Sequence, residues 1–313
     1  MFNILVVGKK PPPVGGVTIF ISRFEKALKK VENTTVLNLS FSSYFNRIDA
    51  VHINSSNPVK RLFWILFFSV RSKNIYYTIH GGDPRLNNFF NRISLKIVKG
   101  VFCLNKNVHE ALLENKIHSM MHTTIFQENL PEFERYLVNR VNRKKDSINV
   151  LFYINNDSLR HGKEIYGASF ILEFLNHIKN DSLSRILFTV VDLSGCYKEK
   201  FKSINNVKLK YIDNSVNFIE FLSLSDIYIR PTSTDGNSVA LLEASILGLE
   251  TIASDVVSRP KATKLYSYGD VNELVLVFRE CVNNIISNNN SAKELNLNSV
   301  IDLVAFMENR LDF

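Results

Sequence analysis

The sequence predicts an α/β protein made of two halves, each built on a parallel sheet. The chain opens on an apolar strand that ends in glycine, FNILVVG at residues 2–8, the usual start of a doubly wound sheet. A second strand of this kind, INVLFYI at 148–154, restarts the pattern after a basic polar stretch at 135–146, which we interpret as an interdomain linker. We therefore expect two Rossmann-like domains that face each other, at 1–143 and 144–313.

Composition is that of a globular protein with an anionic partner. The 313 residues are 45% hydrophobic and 22% charged, enough for a large core, and the formal net charge is +8. A nucleotide or an acidic lipid fits this charge, whereas no nucleic-acid recognition motif is apparent. Three cysteines without a CxxC pattern, no secretory signal and no apolar run long enough to span a bilayer favour a cytoplasmic location.

The most informative stretch is residues 225–260, which read as strand, polar loop, helix and strand. A short apolar run at 227–229 precedes the loop, and helical spacing follows at 239–247. Asp235 lies in the loop and Glu243 on the helix. Free N–H groups at a helix N-terminus attract phosphates, and carboxylates accept hydrogen bonds from sugar hydroxyls. The stretch therefore suits a ligand that carries both groups.

This stretch resembles the donor-binding segment of retaining glycosyltransferases of the GT-B fold, family 4, in which an acid, seven residues and a glutamate recur. The matching positions are Pro231, Thr232, Asp235, Gly236, Glu243, Ala244, Gly248, Ile252, Ala253, Ser254 and Asp255. In the family the first acid contacts the transferred sugar and the second holds the nucleotide ribose, so the resemblance gives these roles to Asp235 and Glu243. We assign the loop residues that precede the helix to donor binding as well: Gly236, Asn237 and Ser238. Here the first acid is the shorter Asp, and Glu250 replaces the usual proline; a helix-capping Asp in a polar loop is the alternative.

Two glycines in the first half resemble the same family's glycine-rich first loop. Gly15 and Gly16 follow KKPPPV and precede an amphipathic helix expected at 18–30. They let a ligand approach the backbone closely, and the pattern is neither a dinucleotide fingerprint nor a P-loop. In the family this loop lines the cleft between the domains, so both glycines are expected to bind the donor. A purely structural Gly-Gly turn is the alternative.

His80 is the histidine that we assign to catalysis. It ends the predicted strand 74–80 and precedes two glycines. In the family a histidine in a T-x-H-G motif lies beside the donor sugar and phosphate, and a neutral imidazole can donate a hydrogen bond there. A structural role is the alternative for His80 and the expected role for His52. His118 and His122 are four residues apart but lack further ligands, so we expect no metal site.

Residues 155–166, NNDSLRHGKEIY, stand where the family has an arginine and a lysine that grip the donor diphosphate. Arg160 and Lys163 are the candidates, although their spacing departs from the family pattern. We expect Lys163 first, as a catalytic cation, and Arg160 second, as a donor-binding one. If Gly167 is the family's glycine, Tyr166 holds the usual lysine position. A solvated basic loop is the alternative.

Two further helices bear on partners. Residues 60–73, KRLFWILFFSVRSK, form an apolar helix bracketed by basic side chains. It is either a buried crossover helix, which its nearly continuous apolar residues favour, or an interfacial helix on an anionic membrane with Trp64 inserted. A last helix is expected at about 299–311, after an Asn-rich loop at 288–290, and in GT-B folds such a helix returns to the first domain.

The resemblance implies retaining transfer of a sugar from a nucleotide-sugar donor, without a metal or other cofactor. In agreement, the sequence has no Asp-x-Asp motif. The expected acceptor is a glycan or a lipid-linked oligosaccharide in bacterial surface-polysaccharide assembly, of the O-antigen or capsule type, with peripheral contact at the inner face of the plasma membrane. A catalytically weak partner subunit of another transferase and a GT-B sugar-nucleotide epimerase are the alternatives.

Overall fold

The structure is a computed structural model that describes residues 1–11, 15–40, 46–141, 147–178, 185–214, 216–287 and 297–308. The chain divides into two compact units. The first comprises Met1–Pro131, Gly236–Val239 and the described part of Asn296–Phe313, and the second comprises the described parts of Glu132–Asp235 and Ala240–Leu295.

The first unit is built on six parallel strands in the order β2-β1-β3-β4-β5-β6. Its elements up to Pro131 are β1 Phe2–Gly8, α1 Gly16–Leu28, β2 Thr34–Asn38, β3 Ala50–Asn54, α2 Pro58–Ser69, β4 Ile75–Ile79, α3 Phe89–Ile97, β5 Gly100–Cys103, α4 Lys106–Glu114 and β6 Ser119–Met121. A 3-10 segment at Gln127–Phe133 leads to the second unit.

The second unit repeats this plan, with six parallel strands in the order β11-β10-β7-β12-β13-β14 and a small antiparallel pair, β8 and β9. Its elements are α5 Glu134–Val141, β7 Ile148–Ile154, β8 Leu159–Arg160, β9 Lys163–Glu164, α6 Ala168–His177, β10 Ile186–Asp192, α7 Lys198–Lys202, β11 Lys208–Ile212, α8 Phe218–Ser223, β12 Ile227–Arg230, α9 Val239–Ile246, β13 Glu250–Ser254, β14 Thr263–Tyr266 and α10 Val271–Ile286. The expected linker is therefore partly helical, since α5 covers its first residues, while 142–146 lie outside the described residues.

The last helix, α11 at Val300–Met307, packs within the first unit. Its Val300, Leu303 and Phe306 are buried in the core formed by α1 and one face of the sheet. The Tyr76 hydroxyl on β4 donates a 3.1 Å hydrogen bond to the carbonyl of Met307. Of the expected helix at 299–311, residues 309–311 lie outside the described part, as does the expected Asn-rich loop at 288–290.

The strand order of each sheet places a topological switch point. In the first unit the chain goes from β1 to β2 on one side and from β3 onward on the other, so the switch lies between β1 and β3. In the second unit it lies between β7 and β12 for the same reason. Open parallel sheets bind ligands beyond the carboxyl ends of their strands at such points. The loops that follow these four strands are therefore the places to look for a site.

Helix α2 departs from the expectation of full burial. Leu62, Ile65 and Phe68 are buried against the sheet, but Phe63 and Phe67 are exposed. A sheet covers only one face of a crossover helix, so a helix that is apolar on every side leaves its outer face uncovered unless another element packs there. The near-continuous apolar pattern alone does not predict whether another element covers the outer face of the helix.

Candidate functional site

The acid loop of the second unit lies beyond the carboxyl end of β12, at the switch point. The Asp235 carboxylate accepts two hydrogen bonds from Arg230, at 2.6 Å from Nε to Oδ2 and 3.2 Å from Nη2 to Oδ1. Nη1 of Arg259 donates a third bond to Oδ2 at 2.7 Å. Burial by itself raises the pKa of Asp235, but the two guanidinium groups outweigh it and hold that pKa well below its usual range. Asp235 is therefore ionised at neutral pH.

Arg259 also joins the loop to the neighbouring strand. Its Nε donates to the carbonyl of Ser254 at the end of β13 at 3.1 Å, and its Nη2 donates to Thr232 Oγ1 at 3.1 Å. The Ser254 hydroxyl donates to the carbonyl of Thr232 at 2.7 Å. Sequence analysis did not single out either arginine. The available signal was weak: each precedes a proline within the stretch that matches the family, Arg230 at one end and Arg259 at the other.

Glu243, the second acid, is buried on α9 in the same neighbourhood. Burial raises the pKa of Tyr228 on β12, Arg230 lowers it, and the carboxylates of Asp235 and Glu243 both raise it, so both acids act on one phenol. Arg230 Nη1 lies 3.4 Å from the hydroxyl of Tyr228. The two acids eight residues apart in the sequence therefore both lie near the Tyr228 hydroxyl.

The two candidate diphosphate cations differ in where they point. Arg160 and Lys163 lie on the hairpin of β8 and β9, whose turn residues His161 and Gly162 have positive φ values of 51° and 74°. Nη1 of Arg160 donates a 3.3 Å hydrogen bond to Thr234 Oγ1, next to Asp235 in the chain. Lys163 is exposed, and its Nζ lies 5.1 Å from the centroid of the Tyr268 ring. Of the two, Arg160 is the one that reaches the acid loop.

Gly167 follows the β8–β9 hairpin and packs closely against Pro231, at the start of the acid loop. It precedes α6 with a φ of +65°, and a Cβ built there would lie 2.2 Å from the carbonyl oxygen of Pro231. Only glycine satisfies both the left-handed backbone and this close approach. The preceding Tyr166 stands edge-on to Tyr153, with ring centroids 6.2 Å apart, and its ring lies 5.9 Å from Cζ of Arg230. Aromatic side chains therefore lie next to Arg230, which bonds Asp235.

His80 lies in the first unit, at the end of β4. Its Nε2 is 3.1 Å from Oδ1 of Asn54, which ends β3. Burial lowers the pKa of His80 to about 3, with His122 and Arg61 contributing. The imidazole is therefore neutral at physiological pH, and because an amide oxygen only accepts, its single N–H is on Nε2 and is donated to Asn54.

Gly236–Val239 group with the first unit, although their chain neighbours belong to the second. A Cβ on Gly236 would lie 2.0 Å from the carbonyl oxygen of His80, so no larger residue fits. The Asn237 amide donates a 2.9 Å hydrogen bond to the carbonyl of Leu104. Asn237 also lines a cavity of about 280 Å³ with Leu104, Met121, His122, Thr123, Leu297 and Asn298. Three predicted site residues, His80, Gly236 and Asn237, thus lie in this unit, and the next residue in the chain, Ser238, is buried.

A larger cavity, of about 470 Å³, lies at the switch point of the first sheet. Its lining comes from the ends of β1 and β3, from α1 and from α2: Val7, Gly8, Lys9, Val17, Thr18, Leu39, Asn54, Ser55, Ser56, Asn57, Lys60 and Trp64. Gly15 and Gly16, at the start of α1, directly precede the cavity-lining residues Val17 and Thr18 in the chain. Gly15 caps the helix in an extended conformation and exchanges two 3.0 Å hydrogen bonds with the Thr18 hydroxyl. A Cβ on Gly16 would meet nothing within 4 Å.

The remaining histidines are held within the first unit. His52 is buried, with Nε2 2.8 Å from Thr78 Oγ1, and Nδ1 of His122 lies 2.6 Å from the Thr123 carbonyl. The ring of His118 stacks on Phe306 with centroids 4.4 Å apart. Among the described residues, no group of three or more His, Cys, Asp or Glu could hold a metal ion. In the same part of the chain, no helix combines the length and apolar character needed to cross a membrane.

Comparison with known proteins agrees with the architecture. No family model matches the chain. An uncharacterized 41.2 kDa protein in the cps region of Klebsiella pneumoniae is 23% identical over 260 residues, 74% of this chain and 68% of that protein. Sucrose-phosphate synthase from Thermosynechococcus elongatus superposes with a TM-score of 0.67 at 12% identity, covering 94% of this chain and 92% of that chain. Anabaena HepE in complex with UDP gives 0.63 at 11% identity, covering 100% and 96%.

These likenesses establish the fold class. The protein is an α/β protein with the GT-B fold, built on two parallel six-stranded sheets, as the sequence predicted. The solved relatives of this architecture include glycosyltransferases, and Anabaena HepE has also been solved with UDP-glucose.

Proposed function

We propose that this protein is a glycosyltransferase that moves a sugar from a nucleotide-sugar donor to an acceptor hydroxyl. The observation that carries the proposal is the buried cluster of Arg230, Asp235 and Arg259, with Glu243 beside it, at the switch point of the second sheet. A structural salt bridge alone does not call for a second buried acid and a further arginine, Arg160, at the same loop. The UDP and UDP-glucose held by the similar HepE support a nucleotide-sugar donor.

Each residue has a chemical role in this proposal. Glu243 accepts hydrogen bonds from the ribose hydroxyls, and Asp235, kept ionised by its arginines, accepts from hydroxyls of the transferred sugar. Arg160 pairs with the diphosphate, and we now favour it over Lys163 because it contacts the acid loop. His80, as a neutral imidazole, donates its Nε2–H to a sugar or phosphate oxygen in place of the Asn54 amide oxygen. Charge-assisted bonds of these kinds contribute about 1.5–3 kcal/mol each.

The proposed reaction is retaining and needs no metal. The bond between the anomeric carbon and the diphosphate oxygen breaks, and the nucleoside diphosphate leaves with the electron pair. The acceptor oxygen then bonds to the same face of the anomeric carbon, and its proton passes to the departing diphosphate. Cationic side chains stabilise the charge that develops on the leaving group. Anomeric configuration by NMR and full activity after EDTA treatment test these two points, and an inverted product or lost activity contradicts them.

The first experiment is a thermal-shift screen of nucleoside diphosphates and nucleotide sugars. A ligand that binds only the folded state raises the melting temperature, so the donor is identified as the nucleotide sugar that raises it most. With that donor, Glu243→Ala is expected to weaken nucleotide binding roughly 10–100-fold, because a charged hydrogen-bond acceptor is lost. Asp235→Ala is expected mainly to lower kcat. Glu199→Ala is the matched control, since that side chain is 80% exposed in the same unit. Unchanged kinetics in both site variants would remove the assignment.

A second candidate is a donor-binding protein with little turnover. It is favoured by one observation: both oxygens of Asp235 already accept bonds from arginines, which leaves less capacity for a sugar. Stable donor binding with no product under any acceptor would support this candidate. For the enzyme, the cps-region relative supports a glycan or lipid-linked acceptor in bacterial polysaccharide assembly.

A further inference from the structure

Helix α2 carries an uncovered apolar stripe. Val59, Phe63, Leu66 and Phe67 are exposed, with Phe63 at 58%, and the stripe continues to the C-cap Val70 at 78%. Their spacing of four, seven, eight and eleven residues from Val59 puts them on one side of the helix. Leu62, Ile65 and Phe68 on the opposite side are buried in the core. The stripe is therefore a continuous, outward-facing aromatic and aliphatic surface.

Basic residues predominate in the segment that carries this stripe, which Asp49 and Glu110 flank. Residues 50–109 contain nine lysines and arginines and one acid, Asp83, so this segment alone carries +8, the net charge of the whole chain. Lys60 lies three and seven residues from Phe63 and Phe67, at the edge of the stripe, and Arg71 and Lys73 follow Val70.

The neighbouring helix extends the same combination. Helix α3 packs against α2, and Nη2 of Arg61 donates to Oδ1 of Asn91 between them. Phe89 on α3 is 68% exposed, and Arg92 and Lys96 on the same helix are exposed as well. Exposed aromatics with basic side chains thus occur on two adjacent helices.

We propose that this aromatic–basic surface, formed by α2 and α3, docks on an anionic lipid bilayer. Aromatic and aliphatic side chains enter the boundary between headgroups and acyl chains, while lysines and arginines attract anionic headgroups. Pairing with a second copy of the chain would bury the apolar stripe equally well. It would also bring two +8 segments together, and that repulsion favours the oppositely charged bilayer.

Helix α2 also lines a cavity that indicates the class of acceptor. This inference rests on the proposed function. Lys60 and Trp64, four residues apart on α2, line the 470 Å³ cavity, whose other polar groups include Lys9, Asn54 and Ser55. Lysines, amides and hydroxyls suit a phosphorylated sugar, and the indole offers a face for a pyranose ring. The acceptor class is therefore an amphiphile whose lipid stays in the bilayer and whose glycosyl phosphate enters this cavity.

The test measures vesicle binding without donor or acceptor. Trp64 is the chain's one tryptophan and lies half-buried on α2, so its fluorescence reports on changes at this helix. Vesicles containing phosphatidylglycerol are expected to co-sediment the protein and shift the emission to the blue, whereas pure phosphatidylcholine binds at least about tenfold more weakly. Phe63→Ser with Phe67→Ser is expected to reduce binding about tenfold or more, and Lys73→Glu with Lys96→Glu to remove the preference for anionic lipid. The control is Leu276→Ser with Ile286→Ser, since these residues of the second unit are 65% and 69% exposed.

Three results would overturn the proposal: equal binding to both vesicles, binding unchanged in the Phe63/Phe67 variant, or a dimer in light scattering that this variant dissociates. Donor-induced thermal stabilisation, measured on the same variants, confirms that they are folded. It also separates the two proposals. Vesicle binding without any donor binding leaves the docking surface standing and removes the glycosyltransferase, and donor binding without vesicle binding does the reverse.

Discussion

Arg259 Nη1 lies 2.7 Å from Oδ2 of Asp235, and the two residues are separated by 24 positions in the chain. The side chain of Arg259 is 2% exposed and that of Asp235 is 10% exposed, so the pair is shielded from water. The same oxygen also accepts from Arg230 at 2.6 Å. A single carboxylate thus neutralises part of the charge of two guanidinium groups, and the cluster keeps a net positive charge beside Glu243.

The first prediction concerns Arg259. Arg259→Lys keeps the charge but loses the planar fork that bonds Asp235, Thr232 and Ser254 at once. We expect the free energy of unfolding to fall by about 1–3 kcal/mol, because buried acceptors on Thr232 and Ser254 lose their donor, and kcat to fall with it. Denaturant unfolding measures the first effect. Arg279→Lys, at an exposed position on α10, is expected to change the unfolding free energy by less than about 0.5 kcal/mol. Equal effects of the two substitutions would contradict the role given to Arg259.

The second prediction compares two glycines with nearly the same backbone. Gly162 and Gly167 have φ values of 74° and 65°, but a Cβ meets nothing within 4 Å at Gly162 and lies 2.2 Å from the Pro231 carbonyl oxygen at Gly167. Gly162→Ala is expected to cost about 1 kcal/mol, the strain of the left-handed conformation. Gly167→Ala is expected to cost at least about 2 kcal/mol more, since the acid loop must move. Thermal unfolding of both variants checks the difference, and similar losses would show that the contact with Pro231 is unimportant.

The third prediction is acid destabilisation by buried histidines. Burial lowers the pKa of His80 to about 3 and of His122 to about 4, and it lowers the pKa of His52 well below its ordinary value. Above pH of about 6.5 the folded and unfolded states are both neutral at these positions. Below it, the unfolded chain binds protons that the folded chain does not, so the unfolding free energy falls as pH drops toward about 4.

Each of these histidines contributes a slope of up to about 1.4 kcal/mol per pH unit. Denaturant titrations between pH 7.5 and about 5 measure this slope, and His122→Gln is expected to reduce it. The matched control is Val108→Ala, a buried substitution in the same unit that removes no ionisable group and is expected to leave the slope unchanged. Stability that is flat over this range would contradict the burial of neutral imidazoles.

The fourth prediction tests how far the last helix belongs to the first unit's core. Phe306 is 1% exposed and contacts the rings of His118, Phe102 and Tyr76. Phe306→Ala is expected to destabilise the protein by about 3–5 kcal/mol through lost burial and a cavity. Ile301→Ala, on the same helix but 56% exposed, is expected to cost under about 1 kcal/mol. If both substitutions cost the same in calorimetry, α11 does not anchor this core.

Much of the fold was readable from the sequence because its signals are local. The apolar runs at 2–8 and 148–154 are strands with the predicted ends, and the strand, loop and helix around Asp235 lie within one residue of their expected positions. Strands in a parallel sheet are buried on both faces, so they stand out as continuous apolar runs. Short or polar elements did not stand out: the β8–β9 hairpin, β6 and α3 were not predicted.

The sequence predicts which candidate site residues lie close together in the chain, but it does not predict the contacts that they make with distant segments. The local pattern was enough to put Asp235 on the loop and Glu243 on the helix that follows it, because both residues belong to one supersecondary unit. The sequence does not predict that Arg230 and Arg259 bond Asp235. The chain has many basic residues, and the order of the strands in the sheet decides which of them lie near this carboxylate. The same is true of the contact between Gly236 and the His80 carbonyl. The sequence by itself determined the two sheets and the places of Asp235 in a loop and Glu243 on a helix, whereas only the tertiary structure decided which cations face Asp235 and which side of α2 is exposed. Hydrophobic periodicity records how a segment folds, but the neighbours of a charged side chain depend on packing between segments far apart in the chain.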